Sequence, residues 1–187
     1  MFTHSTKPKI CVSGPAKVEH CSANACAKAE EVGRLIAKHG AVIVTGATTG
    51  IPWLAAKGAK EAGGLSIGLS PAASEKEHVK VYNLPTDYFD LIIYTGFNYS
   101  GRNLLLVRSS DASIIICGRM GTLNEFTIAF EDGKPIGVLS GTGGTLELID
   151  EIVEESHRSD PGGIIYESEP EALVKKVLDR VEELKRY

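Results

Sequence analysis

The chain has 187 residues, 43% of them hydrophobic and 24% charged, with a formal net charge of −4. This is ordinary globular composition, enough for one substantial core, and with no Lys/Arg block it argues against a nucleic-acid-coating surface. No apolar run reaches the ~18 residues of a membrane span and Met1 to Lys9 carry no secretory stretch, so a soluble, cytoplasmic, single-domain protein over 1–187 is expected, with no nucleic-acid or membrane partner.

In chain order, Ile10 to Ser13 reads as a first strand ending at Gly14-Pro15. Ala25, Ala29, Val32 and Ile36 then recur at helical spacing, which predicts an amphipathic helix over about 20 to 39 that stops at Gly40. Ala41 to Thr45 is a second strand, followed by the turn Gly46-Ala-Thr48-Thr49-Gly50 and a helix with Pro52 in its first turn, where the missing N–H costs nothing. Gly63-Gly64 ends that helix, and Leu65 to Leu69 supplies a third strand.

Residues 70 to 90 read as a long irregular excursion, of a length that is usually functional or mobile. Leu91 to Tyr94 is a fourth strand, and Asn98 to Gly101 leads into a helix over Arg102 to Ser110. The run Ile114-Ile115-Ile116 suits a central strand buried on both faces. After the next helix, Pro135 to Leu139 forms a strand, and Gly141 to Gly144 precedes a helix carrying Leu146, Ile149 and Val153. A short run at Ile164 to Tyr166 and a closing amphipathic helix complete the chain.

Strands alternating with helices imply right-handed crossovers, hence a Rossmann-like three-layer α/β/α fold with a mainly parallel sheet. Ligands of such sheets lie outside the carboxyl ends of the strands. Four turns converge there: Gly14-Pro15, Gly46 to Gly50, Phe97 to Arg102, and Gly118 to Thr122.

The last turn is the most informative. A helix entered through Gly118-Arg119-Met120-Gly121-Thr122 aims unpaired N–H groups and the positive end of its dipole at the turn, which suits a phosphate. Glu125, three residues beyond Thr122, shares its helix face. A Glu at this position also favours the helix dipole with no functional role, and glycine turns after strands are often only turns. The Gly46 to Gly50 turn has neither GxGxxG nor Walker spacing. Trp53 reads as packed against the core rather than stacked on a base.

Gly118-Arg-Met-Gly121-Thr122-Leu-Asn-Glu125 resembles the PGGxGTxxE signature of the LOG family, the nucleoside 5′-monophosphate phosphoribohydrolases formerly labelled lysine decarboxylases. Thr45 to Gly50 looks like that family's second glycine turn, and Arg102 falls where its arginine precedes the central strand. Cys117 and Arg119 replace the signature's proline and second glycine, and Asn103 stands where many members carry lysine. The fold and turns are also similar to molybdenum cofactor carrier proteins and related nucleotide-sensing domains.

The resemblance implies hydrolysis of an N-glycosidic bond through an oxocarbenium-like transition state. Glu125 would stabilise positive charge and orient water, and Arg102 would pair with Glu125 or with a substrate oxyanion. Phosphate and nucleotide would be held by Gly14, Gly46, Thr48, Thr49, Gly50, Gly118, Arg119, Met120, Gly121 and Thr122. Arg119 has no counterpart in the family: a second phosphate, a neighbouring subunit and plain solvation all remain open to it. The alternative is a non-catalytic nucleotide or molybdenum-cofactor carrier, motivated by Cys117 and Arg119. A homodimer or larger even oligomer is expected by the same resemblance, with no cofactor required. The four cysteines have no CxxC pair or metal-ligand spacing and read as reduced thiols, with no metal site.

Overall fold

The computed structural model describes residues 6–160 and 162–185. The β-branched runs become strands as expected: β1 (Lys9–Ser13), β2 (Val42–Thr45), β3 (Ser66–Ser70), β4 (Leu91–Tyr94), β5 (Ala112–Ile116), β6 (Ile136–Leu139) and β7 (Ile164–Glu167). Among the described residues they form one all-parallel sheet in the order β4-β3-β2-β1-β5-β6-β7, the three-layer Rossmann-like arrangement. The helices are α1 (Ala25–Lys38), α2 (Ile51–Glu61), α3 (Glu75–Lys80), α4 (Asn98–Arg108), α5 (Met120–Glu131), α6 (Ile149–Ser156) and α7 (Pro170–Lys185).

Strand alternation decides which face each side chain serves. Ile10, Val12, Ala112, Ile114 and Ile116 point to one side and pack with apolar residues of α1, α2 and α7. Ile115 points to the other side, against Val107 of α4 and Phe126, Ala129 and Phe130 of α5, and Cys11 packs there with Val44 and Leu106. By the same parity Ser13 faces the side of α4 and α5. On the first side, α1 and α2 approach backbone to backbone: a Cβ on Gly33 would come within 1.8 Å of Ala55 O, and one on Gly58 within 1.9 Å of Glu30 O.

The chain leaves β1 toward β2, then returns after β4 to lay β5 on the opposite side of β1. This reversal opens a crevice beyond the carboxyl ends of β1 and β5, the place where open parallel sheets bind ligands.

Three sequence expectations need correction. The first helix starts at Ala25 rather than near residue 20, so residues 14–24 are a loop running past the crevice. The segment over 70 to 90 is not structureless: Ser74 accepts from Glu77 N at 3.2 Å, Glu77 accepts from Ala73 N at 2.7 Å, and this reciprocal cap starts α3. The next helix starts at Asn98 rather than at Arg102, so Arg102 sits in its second turn, turned inward.

Candidate functional site

The crevice holds a cavity of about 390 Å³, walled by the turn after β1, the β2–α2 turn, α4 and the start of α5. Its charged lining is Lys17, Arg102 and Arg119 against a single carboxylate, Glu125, so a chain of net charge −4 presents a locally cationic cleft. Lys17 and Arg119 are exposed, whereas Arg102 and Glu125 are buried, 5% and 6% exposed.

Glu125 is held on both oxygens. Its Oε2 accepts from the Ser13 hydroxyl, and its Oε1 accepts from Arg102 Nη1 at 3.2 Å. Turned to face them, the Asn103 amide nitrogen also donates to Glu125 Oε1 and to Tyr99 O, each at 2.9 Å. Burial pushes the Glu125 carboxyl above the ordinary carboxylate range, and the Arg102 guanidinium and Ser13 hydroxyl pull it only part of the way back. Arg102 in turn lies against Gly46, where a Cβ would stand 2.0 Å from Nη1, so only glycine leaves room for the guanidinium. Its Nε, buried, has no hydrogen-bond partner among the described residues. Tyr99 lies at the cavity rim, 47% exposed, with the Arg102 guanidinium 5.9 Å from its ring centre.

The start of α5 supplies the anion-facing end. Leu123 N donates to Arg119 O at 2.9 Å as the first bond of the helix, so the N–H groups of Met120, Gly121 and Thr122 precede the intrahelical ladder. Arg119 is extended and its side chain makes no capping bond. Thr122, 4% exposed, and Glu125 share the buried face of α5, as their spacing implied.

Of the residues named from sequence, Gly14, Gly46, Thr48, Arg102, Arg119, Gly121, Thr122 and Glu125 line the cavity. Thr49, Gly50, Gly118 and Met120 do not. The Thr49 hydroxyl donates to Ala16 O at 3.1 Å. Gly50, at φ 71°, packs against Pro15 O and Ala16 O. Gly118, at φ 135°, turns toward Thr145, and Met120 is 74% exposed. These four shape the turns that border the cavity, and Met120 contributes its backbone N–H to the start of α5. Trp53 is half-buried, donates from Nε1 to Asp87 at 3.2 Å and meets Tyr88 edge-on, outside the cavity lining.

Sequence reading missed Ser13, Asn103, Tyr99 and Lys17. The period-2 alternation of β1 already put Ser13 on the α4/α5 side, and Asn103 follows Arg102 directly, so both carried a usable signal. Tyr99 comes from the turn Phe97 to Arg102, one of the four expected to converge on the crevice.

The expectation of reduced thiols is overturned for two of the four cysteines. Cys21, at the end of the loop after β1, is joined by a disulfide to Cys117, at the end of β5, with 5.7 Å between Cα atoms and a sequence separation of 96. Cys11 and Cys26 are free, the former buried. Cys117 lies in the left-handed region at φ 58°, where its N donates to Thr142 Oγ1 at 2.8 Å and places its sulfur toward the loop. No spacing rule pairs cysteines so far apart in sequence.

A family model described as the SLOG cluster4 family matches residues 7–174. An uncharacterized protein of Archaeoglobus fulgidus is 37% identical over 111 residues, 59% of this chain and 68% of that one. Among solved structures, the molybdenum cofactor binding protein from Rippkaea orientalis is similar with 30% identity and a TM-score of 0.77, covering 94% of this chain and 98% of its own. The molybdenum cofactor carrier protein of Chlamydomonas reinhardtii is similar with 29% identity and a TM-score of 0.75, over 95% and 99% of the two chains. With its all-parallel sheet, its switch-point cleft and a match over nearly its whole length, the chain belongs to the SLOG cluster4 family.

Proposed function

We propose that the protein binds and carries a phosphorylated small molecule, a nucleotide or the molybdenum cofactor, without cleaving it. The observation that carries this reading is the electrostatic division of the cleft. Lys17, Arg119 and the N–H groups opening α5 offer positive charge to a phosphate, while Glu125 is already engaged by Ser13 and Arg102. A general base must reach the water it deprotonates, and a carboxylate clamped on both oxygens by donors is poorly placed for that. The exposed ring of Tyr99 offers a face to a planar heterocycle. The two molybdenum cofactor proteins to which the chain is similar along nearly its full length support a carrier.

A second reading, hydrolysis of the N-glycosidic bond of a nucleoside 5′-monophosphate as in the LOG family, is favoured by one observation. Glu125, Arg102 and Thr122 do meet in a single cavity. Under that reading Glu125 would exchange a present partner for the developing ribosyl cation.

Ligand-dependent melting tests the binding claim. A nucleoside 5′-monophosphate or the intact cofactor raises the melting temperature more than the matching dephosphorylated compound, because only the former fills the start of α5. Equal shifts from the phosphorylated and dephosphorylated members of a pair contradict it.

A further inference from the structure

We infer that Cys21, Cys117 and His20, when the disulfide between the two cysteines is reduced, form a binding site for a thiolate-seeking cation of the zinc type. The three donors come from the loop after β1 and the end of β5. Their ligand atoms all lie within 4.8 Å of one another. The site is separate from the anion-binding lining, which includes none of the three residues.

Tetrahedral zinc, with bonds of about 2.3 Å to sulfur and about 2.05 Å to nitrogen, sets its N and S ligands roughly 3.5–3.6 Å apart and two sulfurs about 3.8 Å apart. His20 Nε2 already stands 3.6 Å from Cys117 Sγ. One edge of the tetrahedron is therefore present in the disulfide form, and forming the rest requires the two sulfurs to part. Cys117 is fixed by its place at the end of β5 and by its bond to Thr142, whereas Cys21 is half-buried in the loop after β1. His20 is exposed, so the fourth coordination position opens to water, as in sites with three protein ligands. His20 Nε2 also lies 3.2 Å from Gly118 O. A ring that donates there would carry its proton on Nδ1 once Nε2 holds a metal.

Chemically the two states exclude each other. A dithiol reductant breaks the Cys21–Cys117 bond by exchange: its two thiols become a disulfide, and its two electrons and two protons leave two protein thiols. Zinc then displaces those two protons to solvent and is held by two thiolates and one neutral imidazole. Metal and disulfide are thus alternative ties between the same loop and the same turn. The expectation of no metal site rested on spacing in sequence, and these ligands are brought together only by the pairing of β1 with β5.

The test uses the full chain, reduced anaerobically with dithiothreitol, desalted and titrated with Zn²⁺ against a chromophoric chelator. The reduced protein takes up one equivalent tightly, the oxidised protein does not, and Co²⁺ in place of Zn²⁺ gives a thiolate charge-transfer band. Cys21→Ser and His20→Ala each bind at least about 10²-fold more weakly, since losing a ligand costs more than losing its outer support. Cys26→Ser binds as the wild type does. Zinc affinity in the reduced wild type no greater than in Cys21→Ser, or a Co²⁺ complex lacking the thiolate band, overturns the inference.

Discussion

Ser13 and Glu125, 112 positions apart, are joined by a buried hydrogen bond from the serine hydroxyl to the carboxylate. The bond exists because β1 turns Ser13 toward α5, and it ties the end of β1 to α5 beside the crevice. With Arg102 on the other oxygen, it makes Glu125 a structural centre of the cleft as well as a lining residue.

Glu125→Gln is therefore expected to destabilise the fold. The substitution keeps the shape but leaves the Arg102 guanidinium buried without its counter-charge, a loss of about 3–5 kcal/mol by analogy with other broken buried pairs. Replacing Arg102 with Met in the same background should restore part of that loss. Chemical denaturation of the two single variants and the double variant measures the coupling, and additive effects would mean that the pair is not energetically linked.

Arg119→Ala should weaken binding of a phosphorylated ligand about tenfold, roughly 1.4 kcal/mol, with little effect on the dephosphorylated analogue. Tyr99→Ala should weaken both members of such a pair, because it removes the face offered to the heterocycle. Calorimetric titration with matched compounds separates the two roles.

Acid stability follows from Asp111, which accepts from Lys9 N at 2.7 Å, Lys9 Nζ at 3.0 Å and Lys185 Nζ at 3.2 Å. Partial burial pushes this carboxyl up, but the Lys9 backbone N–H and the two ammonium groups outweigh it and hold the carboxyl below its ordinary value of 3.8. A depressed acid stabilises the fold above its unfolded pKa and loses that contribution as pH falls through the lower folded value. The melting-temperature gap between wild type and Asp111→Asn should be wide at neutral pH and narrow as pH falls below the ordinary value of 3.8. A gap independent of pH would remove Asp111 from the account.

Phe97, Leu104 and Leu105 at and along α4, with Met120 at the start of α5, are exposed apolar side chains. A surface of this kind is normally covered, and an even homo-oligomer packed through these helices is the expected cover. Leu105→Glu should shift sedimentation toward the monomer. A wild type that sediments as monomer at micromolar concentration contradicts the expectation.

The order of elements was legible in the sequence because each strand is a short apolar run and most helices carry an apolar stripe. Glu125, Thr122 and Gly121 were legible for a local reason: a strand, a glycine turn and a helix start follow one another within one stretch. The short α3 was readable from Ser74 and Glu77, a capping pair hidden by the prolines and charges around it. The Cys21–Cys117 pair was not, because no local pattern reports which strand lies beside β1. The Arg102 half of the Glu125 clamp was anticipated by the family resemblance, whereas the Ser13 half was hidden for the same reason, since Ser13 reaches Glu125 only through strand order.

The central claim, phosphorylated-ligand binding without cleavage, is tested most directly under single-turnover conditions. Protein in excess over each member of a panel of nucleoside 5′-monophosphates is incubated, and free base and ribose 5-phosphate are resolved by chromatography. Retention of intact nucleotide by the protein, with no base above the protein-free control, is the predicted result; stoichiometric base release by the wild type would contradict it and establish the hydrolase.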